Sequence, residues 1–131
     1  MYYRRSTTPG ATYFFTVNLA DRKQTLLTER IENLRAVIKR VKQHHPLIID
    51  AMVILPDHLH AILTLPENDN GFAGRWSLIK AGFSRGLPKD ERVCESRKKK
   101  RERGIWQRRY WEHQIRDEED FVNHIGYIHY N

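Results

Sequence analysis

The chain has 131 residues, 40% hydrophobic and 30% charged, which suits one soluble domain and leaves too little for two cores. Lysine and arginine number 23 against 16 acids, giving a net charge of +7 and an isoelectric point near 9.8, a balance that favours a polyanionic partner. The single cysteine, Cys94, excludes an internal disulfide or a multi-cysteine zinc site and fits a reducing cytoplasm. No apolar run approaches the roughly 18 residues that cross a membrane, and Arg4 and Arg5 run into polar residues rather than the apolar stretch of a signal peptide.

Tyr13 to Leu19 is aromatic and β-branched and reads as a strand. A helix is expected from Glu29 to His44, with Ile31, Leu34, Val37, Ile38 and Val41 on one side and Thr28 as its cap. Leu47 to Leu55 and His58 to Leu65 read as two strands of an antiparallel hairpin, turned at Pro56-Asp57. Phe72 to Arg85 reads as a second helix, and Gly86 to Gly104 as a charged loop. Within that loop, Lys89 to Arg103 carries 8 basic against 4 acidic residues. Gln107 to Ile115 reads as a fourth strand and Asp117 to Asn131 as a last helix.

That order predicts an α+β, ferredoxin-like (RRM-like) antiparallel sheet over a single domain, residues 1–131. Helices on one face would leave the other face for a site, served by the C-terminal helix.

Two segments could build that site. In Asp57-His58-Leu59-His60 the two histidines are two apart on a strand and so share a face, while Leu59, Ala61, Leu63 and Leu65 fill the other. Two imidazoles on one face are half of a metal site, although such a pair is ordinarily just a solvated strand face. In the last helix Phe121, Ile125 and Ile128 carry the apolar side, and Asp120, His124, Tyr127 and Asn131 form a polar flank. Tyr130 points the other way, so Tyr127 is the tyrosine placed to reach the sheet. His124 reads as a bystander on that flank, and His113 as a cross-strand structural residue.

The basic residues suggest a phosphate track formed by Lys98, Lys99, Lys100, Arg101 and Arg103 with Arg108 and Arg109. Trp106, Tyr110 and Trp111 could stack on unpaired bases. Arg4 and Arg5 sit beside Tyr2 and Tyr3 on an arm that could read the bases flanking a hairpin.

The histidine, hydrophobic, histidine triplet followed far downstream by Tyr127-Ile128-His129-Tyr130-Asn131 resembles the HUH single-tyrosine transposases, and within them the REP-associated tyrosine transposases. Tyr2-Tyr3-Arg4-Arg5, the stretch Gly10 to Leu19, Leu55 to His60 and Arg109-Tyr110-Trp111-Glu112-His113 extend the likeness over nearly the whole chain. The resemblance implies a metal-dependent single-strand DNA endonuclease and strand transferase acting on hairpin repeats. Tyr127 would be the nucleophile, and His58, His60 and Asn131 would be ligands of Mg²⁺ or Mn²⁺, with a 5′-phosphotyrosine intermediate. It also implies a bacterial, nucleoid-associated protein, monomer or homodimer, whose tyrosine serves its own subunit or a partner's. The family continues past the asparagine with a proline and a further segment, so an end at Asn131 implies a shortened C-terminus. The competing reading is a noncatalytic RRM-like nucleic-acid module. It lacks an RNP1-type aromatic signature here and leaves the paired histidines without a purpose. A metal-storing protein would need more ligands than these.

Overall fold

A computed structural model describes residues 9–88 and 104–129. Strand β1 spans Thr12–Asn18, β2 Ile48–Ile54, β3 His58–Thr64 and β4 Trp111–Gln114, and they form one antiparallel sheet in the order β2-β3-β1-β4. Helices α1 (Leu26–Glu29) and α2 (Ile31–His44) connect β1 to β2, α3 (Phe72–Arg85) connects β3 to β4, and α4 (Glu118–His129) closes the described chain. This is the expected split βαβ order, in which each crossover skips one strand.

Period-two alternation divides the sheet into two faces. Tyr13, Phe15 and Val17 of β1 and Leu59, Ala61 and Leu63 of β3 point into the larger core. There they meet Leu34, Val37, Ile38 and Val41 of α2 and Phe72, Trp76, Ile79 and Phe83 of α3. These α2 positions recur every three or four residues, which is why that segment buries one side as a helix. The opposite face carries a second cluster in which Phe14, Ile62 and Ile128 are buried, with Phe121 and Ile125 of α4 packed against them. The terminal helix therefore covers the face that the other helices leave open.

Several boundaries differ from expectation. Thr28 does not cap α2; its hydroxyl donates to the Thr25 carbonyl, because Leu26–Glu29 forms a separate short helix that plants the buried Leu27 in the core. The fourth strand is four residues long rather than nine. Trp106 and Tyr110 are only 6% and 5% exposed and belong to the core, so they are not available to stack on bases. The Trp106 indole N–H is instead spent on the Lys80 carbonyl at 3.2 Å, and its ring packs edge-on against Phe83. Among the described residues no helix is long and apolar enough to cross a membrane.

Buried Arg75 ties α3 to what precedes it. Its guanidinium donates to the carbonyls of His45, Pro46 and Gly71 and to both carboxylate oxygens of Asp69. That arrangement satisfies the fork of donors on a charge that burial alone would make costly.

Candidate functional site

The site begins at the β2–β3 hairpin. The Leu55 amide donates to the His58 carbonyl at 2.8 Å, closing a turn over Pro56 and Asp57 and fixing where β3 starts. From that register His58 and His60 fall on the α4 side of the sheet, opposite Asn18 and Thr16 of β1. Their ring centroids are 4.9 Å apart. His60 is only 4% exposed, which removes the reading of a solvated surface pair.

Each histidine is oriented through Nδ1. His58 Nδ1 lies 2.7 Å from Asp57 Oδ1, and His60 Nδ1 lies 2.8 Å from Thr16 Oγ1. The Asp57 carboxylate can only accept, and the Thr16 hydroxyl can accept as well, so both contacts are compatible with Nδ1–H donating and Nε2 turned to a metal, the arrangement typical of metal-ligating histidines. Burial, and then the neighbouring His58, lower the His60 pKa from 6.5 to about 4, so at neutral pH the ring is uncharged, as a ligand must be. Burial pushes the Asp57 carboxyl up, but hydrogen bonds from His58 and Arg22 outweigh it and leave the pKa below its ordinary value. Asp57 is therefore an anion held against the back of His58. The residues present fit a divalent ion bound through two imidazole nitrogens.

Helix α4 brings the tyrosine. Asp117 accepts from the Asp120 amide at 2.8 Å and starts the helix, and Phe121, Ile125 and Ile128 seat it on the sheet. Tyr127 then stands with its ring 5.1 Å from His60 and 5.8 Å from Phe14, both edge-on. It is 54% exposed, so an incoming strand can reach it. Beside it a cavity of about 400 Å³ is lined by Phe14, Thr16, Trp111, Asn123, His124 and Tyr127.

Of the residues picked out in the sequence, His58, His60 and Tyr127 come together within one chain. Arg108 and Arg109 are exposed, next to Gln107, whose amide donates to the carbonyl of Asn18, the residue paired with His58. Asn131, Arg4, Arg5, Lys98, Lys99, Lys100, Arg101 and Arg103 lie outside the described residues. Sequence reasoning missed Arg22, whose guanidinium pairs with Asp57 behind His58. It also set aside a second group. His113 of β4 lies 2.9 Å from Asp120 Oδ2, and His124 Nδ1 lies 3.1 Å from Asp120 Oδ1. The Asp120–His124 spacing of four was visible, but bringing His113 to them needed the β1–β4 register, in which it pairs with Phe14.

A ferredoxin-like sheet with paired histidines beneath a tyrosine-bearing helix is the layout of the single-tyrosine HUH enzymes, and α4 covers the face that an RRM would leave open to RNA. The chain belongs to the IS200-like transposase family, whose profile matches residues 8–131. A Haemophilus influenzae protein, provisionally named a REP-associated tyrosine transposase, is 48% identical over 98% of this chain and 74% of its own length. The REP-associated tyrosine transposase of Escherichia coli K12 is 43% identical, over 98% and 70%. A solved structure of a REP-associated tyrosine transposase bound to a REP hairpin superposes with a TM-score of 0.82 at 42% identity, covering 98% of this chain and 70% of that one.

Proposed function

We propose that this domain, residues 1–131, is a metal-dependent single-strand DNA endonuclease and strand transferase that acts on hairpin-forming repeats. The observation that carries it is the convergence of Tyr127 on His60 within one chain. The REP hairpin held by a relative of 42% identity supports the substrate class.

Tyr127 Oη attacks the scissile phosphorus, the bond from phosphorus to the 3′ oxygen breaks, and the phosphoryl group stays on the tyrosine as a 5′-phosphotyrosine. The phenol gives up its proton and the departing 3′ oxygen gains one, so the strand leaves with a free 3′-hydroxyl. That hydroxyl can later reverse the step, which rejoins the strand without another energy source. The ordinary phenol pKa is about 10, and the scissile phosphate is shielded by its own anionic oxygens. A divalent ion held by His58, His60 and the Asn131 amide oxygen would polarise the phosphate and orient it for in-line attack. Mixed nitrogen and oxygen ligands favour Mn²⁺ over Mg²⁺. The approach of Tyr127 to its own chain's His60 supports a tyrosine that acts in cis, in a monomer. The phosphates run along Arg108 and Arg109 with Lys98, Lys99, Lys100, Arg101 and Arg103, and Arg4 and Arg5 read the flanking bases. The protein works on the bacterial nucleoid.

The test is cleavage of an end-labelled single-stranded hairpin with Mn²⁺ or Mg²⁺. Tyr127→Phe should abolish both the nick and the covalent protein–DNA adduct, leaving hairpin affinity within about threefold, since it removes one oxygen from an exposed side chain. An adduct that persists in Tyr127→Phe would overturn the assignment.

A further inference from the structure

We infer that His113, Asp120 and His124 form a second metal site, separate from the His58–His60 pair, that takes a zinc-class transition-metal ion and fastens α4 to the edge of the sheet. The inference does not depend on the proposed reaction. A ligand atom from each of the three residues lies within 4.8 Å of the others, and all three side chains are half-buried. The separations are already close to those of a chelate. Zinc bonds of about 2.0–2.2 Å to nitrogen and oxygen put tetrahedral ligand atoms about 3.3 Å apart. Here His113 Nε2 is 2.9 and 3.2 Å from the two Asp120 oxygens, and His124 Nδ1 is 3.1 Å from Asp120 Oδ1. An ion entering beside Asp120 has to open these two contacts by only a few tenths of an ångström, while the His113 and His124 rings, stacked with centroids 4.7 Å apart and ligand atoms within 4.8 Å, turn their nitrogens toward it. His124 Nδ1 also lies 2.8 Å from the Asp120 backbone carbonyl, and it gives up that bond when it ligates.

The chemistry of the donors selects the ion. Two imidazoles and one carboxylate suit zinc and its neighbours rather than magnesium or calcium, and three protein ligands leave a position for water. Asp120 is prepared as the anionic member: the backbone N–H of Arg116 first, and the His113 side chain after burial's opposing effect, hold its carboxyl below the usual range. The two candidate sites are distinct. The Phe14 ring stands between them, stacked at 5.5 Å on His60 and tilted at 4.8 Å from His124.

The placement gives the ion a job. His113 sits on β4, an edge strand of four residues, and Asp120 and His124 sit in the first two turns of α4. Tyr127 follows His124 by three residues, less than one turn. Tying Asp120 and His124 to β4 therefore fixes the rotation of the helix that presents the tyrosine.

Zn²⁺ titration with the chain carrying His58→Ala and His60→Ala isolates this group, followed by calorimetry and by thermal unfolding. One Zn²⁺ per chain should bind and raise the melting temperature by several degrees, with Mn²⁺ at least tenfold weaker. Adding His113→Gln, or in a separate protein His124→Gln, should weaken Zn²⁺ at least tenfold. Zinc binding that survives both additions, or no binding by the His58→Ala, His60→Ala chain, overturns the site. Should the double substitution impair folding, His113→Gln in the otherwise unsubstituted chain decides: it should lower the Zn²⁺ stoichiometry by one, and an unchanged stoichiometry refutes the second site. None of these readouts requires DNA cleavage, so the outcome is separable from that of the proposed reaction.

Discussion

Thr16 shows how much of the site is carried by a residue with no chemistry of its own. It sits opposite His60 in the β1–β3 ladder, and its hydroxyl fixes the Nδ1 side of that imidazole. Thr16→Val keeps the β-branched shape and removes only the oxygen, so the fold should lose about 1–3 kcal/mol, the cost of leaving the buried Nδ1 of His60 without its partner. Mn²⁺ affinity should fall by about 10–100-fold, as it does when the outer partner of a ligating histidine is removed. Calorimetric titration of both proteins checks this, and equal affinities would show that Thr16 does not orient His60 for a metal. The histidine pair itself was legible, because period two on a strand needs no tertiary information. The His113 group was not, since no local pattern announces that a residue on β4 will meet the first turns of α4.

At the level of elements, α2 and α4 could be read from their apolar spacing and α3 was read with its observed bounds, whereas the fourth strand was read too long. Trp106 and Tyr110 have strand-like chemistry, yet a loop uses them as core plugs, and propensity cannot distinguish burial in a sheet from burial beside one. The packing of α2 on α3 was equally invisible. It depends on Gly82, where an added Cβ would sit 2.7 Å from Val37 Cγ1, nearer than such atoms approach. Gly82→Ala should gain about 1 kcal/mol of helix propensity and lose roughly 1–3 kcal/mol to overpacking, for a net destabilisation of about 1 kcal/mol. In a Val37→Ala background the clash is gone and the same substitution should be neutral or stabilising. Urea unfolding of the four proteins measures the coupling, and strict additivity would mean that the two helices do not meet as tightly as the glycine implies.

Across the whole molecule, two charge-dependent behaviours follow. A net charge of +7 predicts hairpin binding that weakens with salt, and Arg108→Ala with Arg109→Ala should reduce the slope by about 0.7–0.9 log units for each phosphate no longer neutralised. Fluorescence anisotropy at several salt concentrations reads that slope, and an unchanged slope would take both arginines off the phosphate path. The second concerns acid. The folded His60 pKa is about 4 against 6.5 for a free imidazole, so between those values the unfolded chain binds a proton that the folded chain refuses. Stability must then rise with pH through that window and be lost as pH falls from about 6.5 towards 4, by roughly 3 kcal/mol for a shift of this size on a group this buried. The lowered carboxyls of Asp57, Asp69 and Asp120 act in a lower range: their stabilisation is intact above about 3.8 and disappears only as pH falls below it. Acid sensitivity should therefore come in two steps, with His60 contributing to the first. Urea unfolding of the metal-free chain at pH 7 and pH 4.5 should show a loss of roughly 2–3 kcal/mol, and His60→Leu should lack it because there is no imidazole left to charge. An equal loss in His60→Leu would assign the first step to another group and leave His60 without the buried, neutral character that suits it to a metal.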